Sequence, residues 1–540
     1  MGRSKQVATV KTAVIRGVEA VPVTVEVSVT GGLPGINIVG MATASVLESR
    51  HRIRCALQAA NFKVPRQAIT VNLMPADLTK SGTGLDLPIA LGILVATNQL
   101  ESTLLKDTLF IGEIGLQGEV NAVRGELAFG LCAKREGLTL CTPPSRVDLR
   151  QFGMSVRYLD NLKDAAAVLR DKGSSSESEG VRGREATPSG GGRLSSVNIT
   201  EQHVAQSSSG QRESLDFADV IDQETPKRAL TIAAAGGLGT LMIGPPGSGK
   251  TMLAKRLPTI LDTLNEDERV ETALIHSVAG RDINAFLEGI PPFEAPHHSI
   301  TPVALVGGGR PVIPGEISLA HNGVLFLDEL PEFSNGALQV LRQPMEDQHV
   351  RIIRNEGSFV FPAHFLFLAA ANPCPCGYLG DPDRECHCSP ARVQAYQAKM
   401  GGPLADRIEL IVDVYRPRAQ KIIQGASTTT SAQMREDVLR AKAFSSWRIT
   451  KHGTQEDSGK KQMRTLKAGA LTTMLFSESG KNTLESLASS LALGGRSLMG
   501  VARVARVISD IAEKEWVSED EVLEASLFRP RLDLREAEAA

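Results

Sequence analysis

Hydrophobic positions change period several times along this chain, and each change marks a different kind of element. Val21, Val23, Val25, Val27 and Val29 alternate with other residues, the period of a strand with one buried face. Pro22 confines that strand to an edge or to its own start at this point. Residues 68–73 read as another strand, whereas residues 88–97 are almost uniformly apolar, as in a buried helix. Residues 112–120 (Gly-Glu-Ile-Gly-Leu-Gln-Gly-Glu-Val) predict a hairpin with glycine turns. Together these describe a compact α+β unit ending near Arg170. Further on come short apolar runs: 241–243, bounded by glycines as in a buried parallel strand, then 323–327 and 364–371. Residues 350–361 predict a β-hairpin with its turn near 355–358. Beyond Pro417 the pattern becomes helical. Leu484, Leu487 and Leu491 share one face before the break at Gly494-Gly495, and Val501, Val504, Ile508 and Ile511 form an apolar stripe after it.

Residues 172–214 break the pattern with Ser174-Ser175-Ser176, Gly190-Gly191-Gly192 and Ser207-Ser208-Ser209. A segment with so few large apolar groups buries too little surface to order itself, so a flexible linker is expected. The resulting division is an α+β unit over 1–171, the linker over 172–214, an α/β core over 215–418 and a helical segment over 419–540. A chain of 540 residues is too long for one core.

Composition adds little except exclusions. Hydrophobic residues at 42% and charged residues at 22% fit an ordinary globular protein. A net charge of −2 gives no bulk attraction to nucleic acid, so any such binding must come from local patches. No apolar stretch is long enough to span a bilayer, and the N-terminus lacks the layout of a signal peptide. Seven cysteines in such a chain point to reduced thiols, and the expected location is cytoplasmic, away from membranes.

The chemistry begins at Gly244-Pro245-Pro246-Gly247-Ser248-Gly249-Lys250-Thr251, a complete G-x-x-x-x-G-K-[ST] phosphate-binding loop. It follows a predicted strand and opens a predicted helix, so backbone N–H groups and the helix N-terminus face an anion. Lys250 belongs against the β- and γ-phosphates of a nucleoside triphosphate, and the Thr251 hydroxyl on Mg²⁺. Downstream, the strand over 323–327 ends in Asp328-Glu329. Asp328 can hold Mg²⁺, while Glu329 can take the proton of the attacking water. The strand over 364–371 ends in Asn372, an amide placed to sense the γ-phosphate or to orient the water. ATP binding coupled to hydrolysis is the expectation.

With these motifs and the helical segment behind them, the chain resembles an AAA+ ATPase. Longer strings narrow the resemblance. Phe293-Glu-Ala-Pro-His-His-Ser, Gly307-Gly-Gly, residues 314–333 and Asn372-Pro-Cys-Pro-Cys-Gly-Tyr look like the magnesium-chelatase-like ComM/YifB family, over nearly the whole chain apart from the linker. The resemblance implies an α/β P-loop core with a helical lid, a homo-oligomeric ring (a hexamer), and DNA branch migration in recombination or natural transformation. It makes Arg407, in Gly402-Pro403-Leu404-Ala405-Asp406-Arg407-Ile408, the arginine finger reaching a neighbouring subunit's nucleotide; a helix-end ion pair is the plainer alternative. It makes Arg496 the second sensor, although two glycines precede it where the family has Ser-Ala. Asp222 stands where the family has glycine near the nucleotide base. The N-terminal unit resembles the proteolytic domain of Lon proteases through Gly82-Thr83-Gly84-Leu85-Asp86-Leu87-Pro88. Gly84 and Leu127 occupy the places of the catalytic serine and lysine, however, so protease chemistry is not expected.

Two features remain. Cys374-x-Cys376 and Cys386-x-Cys388 flank a short Gly/Pro/Asp-rich stretch. They can place four thiolates round Zn²⁺, with His387 as a substitute ligand, or else form reduced thiols in a packed loop. Arg351 and Arg354 on the predicted hairpin can grip phosphates of branched or single-stranded DNA without reading bases, or pair with Glu346 or Asp347. Arg310 offers a second such point. His297 and His298 read as a structural pair rather than ligands. The competing function is a chelatase-type ATPase that remodels a protein partner.

Overall fold

The computed structural model describes residues 7–145, 147–170, 215–400, 404, 407–425, 429–452, 474–491 and 493–528. The expected linker over 172–214 lies outside these residues, as do Gly402, Pro403, Ala405 and Asp406.

The N-terminal unit is built on a mixed seven-stranded sheet. Its strands are β1 (Ala8–Arg16), β2 (Glu19–Thr30), β3 (Gly35–Val39), β4 (Ala68–Met74) and β5 (Thr108–Phe110). A small hairpin, β6 (Glu113–Ile114) and β7 (Val120–Asn121), follows, and β8 (Thr139–Thr142) and β9 (Val156–Tyr158) complete the sheet. The strand order is β3-β4-β2-β1-β5-β8-β9. Pro22 finds the place that sequence predicts for it. It pairs with Ala13 of β1, while β4 joins β2 only from Thr24 onward, so the missing N–H falls where β2 has one neighbour. The helix Asp86–Ala96 is buried on all sides, as its uniform apolarity requires.

The second unit is a five-stranded, wholly parallel sheet. It comprises β10 (Thr240–Ile243), β11 (Phe293–Glu294), β14 (Val324–Leu327), β17 (Leu366–Ala371) and β18 (Leu410–Asp413), in the order β11-β14-β17-β10-β18. Two hairpins lie between these strands in the chain: β12 (Gly307–Gly308) with β13 (Ile313–Pro314), and β15 (His349–Arg354) with β16 (Gly357–Pro362). Every second residue of the central strands enters a different core. Met242, Phe326, Leu368 and Ala370 join one cluster, whereas Leu241, Leu325, Leu327, Phe367 and Ala369 join the other. Apolar layers on both faces explain why these strands read as unbroken apolar runs.

The first layer includes the helices Glu224–Gly236, Ser431–His452, Glu478–Ser490, Gly495–Ile511 and Glu519–Leu527. Met434, Val438, Val501, Val504 and Ile508 pack with Leu230 and Ala233 of the first of these. The stripe read from sequence is therefore a packing face.

The two units share a core. The helix Glu126–Arg135 lies on the helix Glu266–Ala279, and Leu127 and Ala128 cluster with Ala273, Val278 and Ile283. Ser277 serves both neighbours: its carbonyl accepts from Gly125 N at 2.9 Å, and its hydroxyl from Leu127 N at 3.3 Å. Leu127 thus supplies apolar contact at an interdomain seam. At Gly84 a Cβ would lie 2.7 Å from Ile111 Cδ1, so a side chain there would require the end of Ile111 to shift. Lys80 is fully buried, its ammonium donates to the Pro75 carbonyl, and burial lowers its pKa.

Candidate functional site

The carboxyl ends of the parallel strands bring the phosphate loop and its partners together, as open α/β sheets do. Between β10 and the helix Lys250–Arg256, residues 244–249 form the loop. Lys250 is buried, and its Nζ donates to the carbonyls of Gly244 and Pro245 at 2.7 and 2.9 Å. It also lies 3.3 Å from Asn372 Oδ1, at the end of the adjacent strand β17. Burial lowers the pKa of Lys250, and the nearby carboxylates of Asp328 and Glu329 oppose that shift. An ammonium held against three oxygens is poised to exchange them for phosphate oxygens.

Thr251 and Asp328 meet as expected: the threonine hydroxyl donates to Asp328 Oδ2 at 2.7 Å. Two hard oxygen ligands at one point suit Mg²⁺, which prefers carboxylate, hydroxyl and phosphate oxygens. Asp328 Oδ1 accepts from the N–H of Glu329 at 3.0 Å. Glu329 itself adopts a left-handed backbone (φ 54°) at the tip of β14. That conformation is unfavourable for a non-glycine residue, and it places the carboxylate, about half exposed, beyond the strand end. There Glu329 Oε2 meets His298 Nδ1 at 3.5 Å. His298 lies beside His297, the two rings tilted by 35° with centroids 4.0 Å apart. Its contact with Glu329 joins segments far apart in the chain and has no local signal.

On the opposite side of the loop, Gln223 Nε2 donates to the carbonyls of Ser248 (3.2 Å) and Tyr415 (2.6 Å). Asp222 has φ 58°, the left-handed region that a glycine would enter freely. Its carboxylate bonds the Lys421 ammonium and accepts from Arg418 N at 3.2 Å, and the lysine holds its pKa below the usual range. The substitution thus keeps the turn.

Arg407 does not point at its own phosphate loop. It lies just before β18, whose Leu410 pairs with Thr240 at the amino end of β10, the sheet edge away from Gly244. Its guanidinium contacts Glu346 at 2.6 Å, which is the ion pair considered as the plainer alternative. Arg496 is exposed on the first turn of the helix Gly495–Ile511, whose N-cap, Gly494, supplies no side-chain bond.

Arg351 and Arg354 are exposed on the β15–β16 hairpin, whose turn is Asn355-Glu356. Their expected alternative partners are engaged elsewhere. Glu346 holds Arg407, and Asp347 accepts from Gln343 Nε2 at 3.1 Å. The hairpin tip and the loop carrying Arg310 line one cleft of about 250 Å³, with Arg310, Arg354 and Glu356 on its walls. A Cβ on Gly357 would lie 2.7 Å from Arg16 Nη2, so the β1–β2 turn of the N-terminal unit brings a further arginine to the hairpin. Arg310 and the hairpin are separate candidates along the sequence. The fold joins them and adds Arg16, which no motif marks. The four cysteines also converge, all four Sγ atoms lying within 4.8 Å of one another.

A phosphate loop, an Asp-Glu strand tip and a polar amide on adjacent parallel strands define a P-loop nucleoside triphosphatase. The comparisons narrow the class. The family model described as magnesium chelatase subunit ChlI matches residues 216–422, that of subunit ChlI of Mg-chelatase residues 25–145, and that of the ChlI C-terminal part residues 428–529. Competence protein ComM of Haemophilus influenzae is 37% identical over 522 residues, covering 96% of each chain. YifB of Salmonella typhimurium is 34% identical over 529 residues, covering 97% of each, and YifB of Escherichia coli 35% over 527 residues, covering 96% of each. The chain belongs to the ComM/YifB family of magnesium-chelatase-like ATPases. Among the described residues no helix is long and apolar enough to cross a membrane.

Proposed function

We propose that this chain is an ATP-driven ring motor that moves branched or single-stranded DNA, serving branch migration in recombination or competence. The observation that carries the reading is the cleft lined by Arg310 and Arg354 at the tip of the β15–β16 hairpin, with Arg16 beside Gly357 and Arg351 exposed on the same strand as Arg354. Arginines that engage phosphates give backbone affinity without base preference, which a motor tracking along DNA requires. The relation to a competence protein points the same way.

In this reading residues 1–171 form a Lon-protease-like unit without the catalytic dyad, which braces the motor through the Leu127 seam. Residues 215–418 form the AAA+ core and residues 419–540 the helical lid and C-terminal segment. Thr251 and Asp328 hold Mg²⁺, which screens the charge of the phosphates when bound. Lys250 binds the β- and γ-phosphates, Glu329 accepts the proton of the attacking water, and Asn372 orients it. Arg407 and Arg496 act from ring neighbour and lid. The ring is a cytoplasmic hexamer.

The second reading, a chelatase-type ATPase that remodels a protein partner, is favoured by the family models' own descriptions. The N-terminal unit does not separate the two readings, because the model matching 25–145 also bears the ChlI description. The deciding experiment is the ATPase rate of purified protein with and without forked DNA. Several-fold stimulation supports the DNA motor, and an unchanged rate with no DNA binding overturns it in favour of the second reading.

A further inference from the structure

Cys374, Cys376, Cys386 and Cys388 are the densest group of metal-ligating side chains among the described residues. Cys374 is fully buried, and the other three are partly covered. Cys374 Sγ lies 3.3 Å from Cys376 Sγ, and Cys386 Sγ lies 3.6 Å from both. These separations are far too long for a disulfide, whose sulfurs stand about 2.05 Å apart. They come within about half an ångström of the edge of a thiolate tetrahedron, about 3.8 Å when each sulfur stands about 2.3 Å from zinc. His387, the substitute ligand read from sequence, is exposed and outside the group.

The segment between the two C-x-C steps touches the ATPase machinery. It leaves β17 through Asn372, whose amide oxygen lies beside Lys250. Gly377, at φ +84°, turns against the phosphate loop so closely that a Cβ there would stand 2.6 Å from Pro246 Cδ and 3.8 Å from Asn372 Cγ. Its N–H donates to the Cys374 carbonyl at 2.9 Å, tying this contact to the first cysteine. Farther along, Asp381 pairs with Arg416 at 3.1 Å, beyond the end of β18. Residues 373–389 contain neither helix nor strand. An irregular segment of this length at the edge of a compact domain, with only Cys374 and Gly377 fully buried, needs another source of rigidity.

We propose that Cys374, Cys376, Cys386 and Cys388 bind one structural Zn²⁺, and that this zinc knuckle clamps the phosphate loop through the Gly377–Pro246 contact while fixing Asn372 beside Lys250. Four protein thiolates leave no open position on the metal, so its role is to position and not to react. Gly377 and the cysteines are positioning residues. They act on turnover through Asn372 and the loop, and lie apart from the DNA-facing hairpin.

The test uses the full-length protein, made without added metal and assayed for basal ATPase in the absence of DNA, so failure of the DNA reading leaves it untouched. About one zinc per chain should co-purify, and Co²⁺ replacing it should show the charge-transfer absorption of a tetrahedral thiolate site. Cys388→Ser should lose the zinc and lower kcat at least about tenfold with a smaller change in KM, while Cys388→His keeps both. Gly377→Ala leaves all four cysteines in place but pushes on Pro246. It should retain zinc and still lower kcat, which keeps the clamp testable if Cys388→Ser fails to fold. Protein that neither carries zinc nor takes up Co²⁺ overturns the metal site. Zinc-loaded Gly377→Ala with wild-type kcat overturns the clamp.

Discussion

Replacing Arg407 with alanine separates two roles for one guanidinium. Within the chain it pairs with Glu346 at 2.6 Å, its own side chain 15% exposed and that of Glu346 51% exposed. A pair whose carboxylate is half exposed contributes on the order of 1 kcal/mol, and its loss alone is expected to leave turnover intact. As a finger stabilising charge on the transferred phosphoryl group, the same residue is worth about a thousandfold or more in kcat, roughly 4 kcal/mol of barrier. Sheet geometry decides whose nucleotide it can reach. Thr240 pairs with Leu410 at the start of both strands, whereas the phosphate loop begins after Ile243. Four strand residues at about 3.3 Å each separate Arg407 from its own loop by roughly 13 Å, more than its side chain spans. If Arg407 is a finger, this geometry requires it to act on the next subunit of the proposed ring.

The assay is steady-state ATP hydrolysis with nucleotide binding measured alongside. Arg407→Ala is expected to bind nucleotide and turn over at least about a thousandfold more slowly, whereas Glu346→Ala, which removes only the intrachain partner, stays within about twofold of wild type. Mixing Arg407→Ala with Lys250→Ala supplies a further measure. In a randomly assembled ring about one quarter of head-to-tail interfaces join an intact Lys250 to an intact Arg407, whatever the ring size. Activity should recover toward that fraction. Mixtures as inactive as their parents, or an Arg407→Ala protein with half or more of normal turnover, would refute the reasoning.

Glu329→Gln should keep ATP binding while lowering turnover by about a hundredfold or more, because the attacking water loses its base; equilibrium binding and single-turnover hydrolysis check it. His298→Ala, which removes the partner 3.5 Å from Glu329, should lower kcat severalfold with little change in KM, and an unchanged kcat makes the pair incidental. Leu127→Ala should destabilise the interdomain seam by about 2–5 kcal/mol, as other fully buried leucines do, measured by denaturant unfolding. Replacing both Arg351 and Arg354 with alanine should reduce the slope of log affinity against log salt for DNA by about two, one for each phosphate no longer neutralised, while basal ATPase survives.

Much of this molecule is legible along the chain because its signals are local. The phosphate loop, the apolar strands and the C-x-C pairs each lie in one short stretch, and period alone separates β2 from the buried helix Asp86–Ala96. Even the position of Pro22 follows from its missing N–H, once β4 is seen to join β2 only at Thr24. What sequence hides is which segments meet. Nothing in the order of residues brings His298 to Glu329, Glu346 to Arg407, or Arg16 to Gly357. Each of these pairs is brought together by the return of distant elements to the sheet or by docking of the N-terminal unit.

The seam between the units shows what that docking can do. Leu127 and Ala128 bury against Ala273, Val278 and Ile283, and Val18, from the β1–β2 turn, packs beside the core that carries Val350, Ile352, Phe359 and Phe361 of the hairpin. Among the described residues the N-terminal unit therefore touches the ATPase core on the helix Glu266–Ala279 and at the base of the hairpin. Close-packed cores transmit displacement because they do not deform continuously. A hairpin gripping DNA phosphates would thus work against a surface that the N-terminal unit helps to hold. An apolar Leu127 suits such a bracing role, since an ammonium buried at that seam without a partner would cost several kcal/mol.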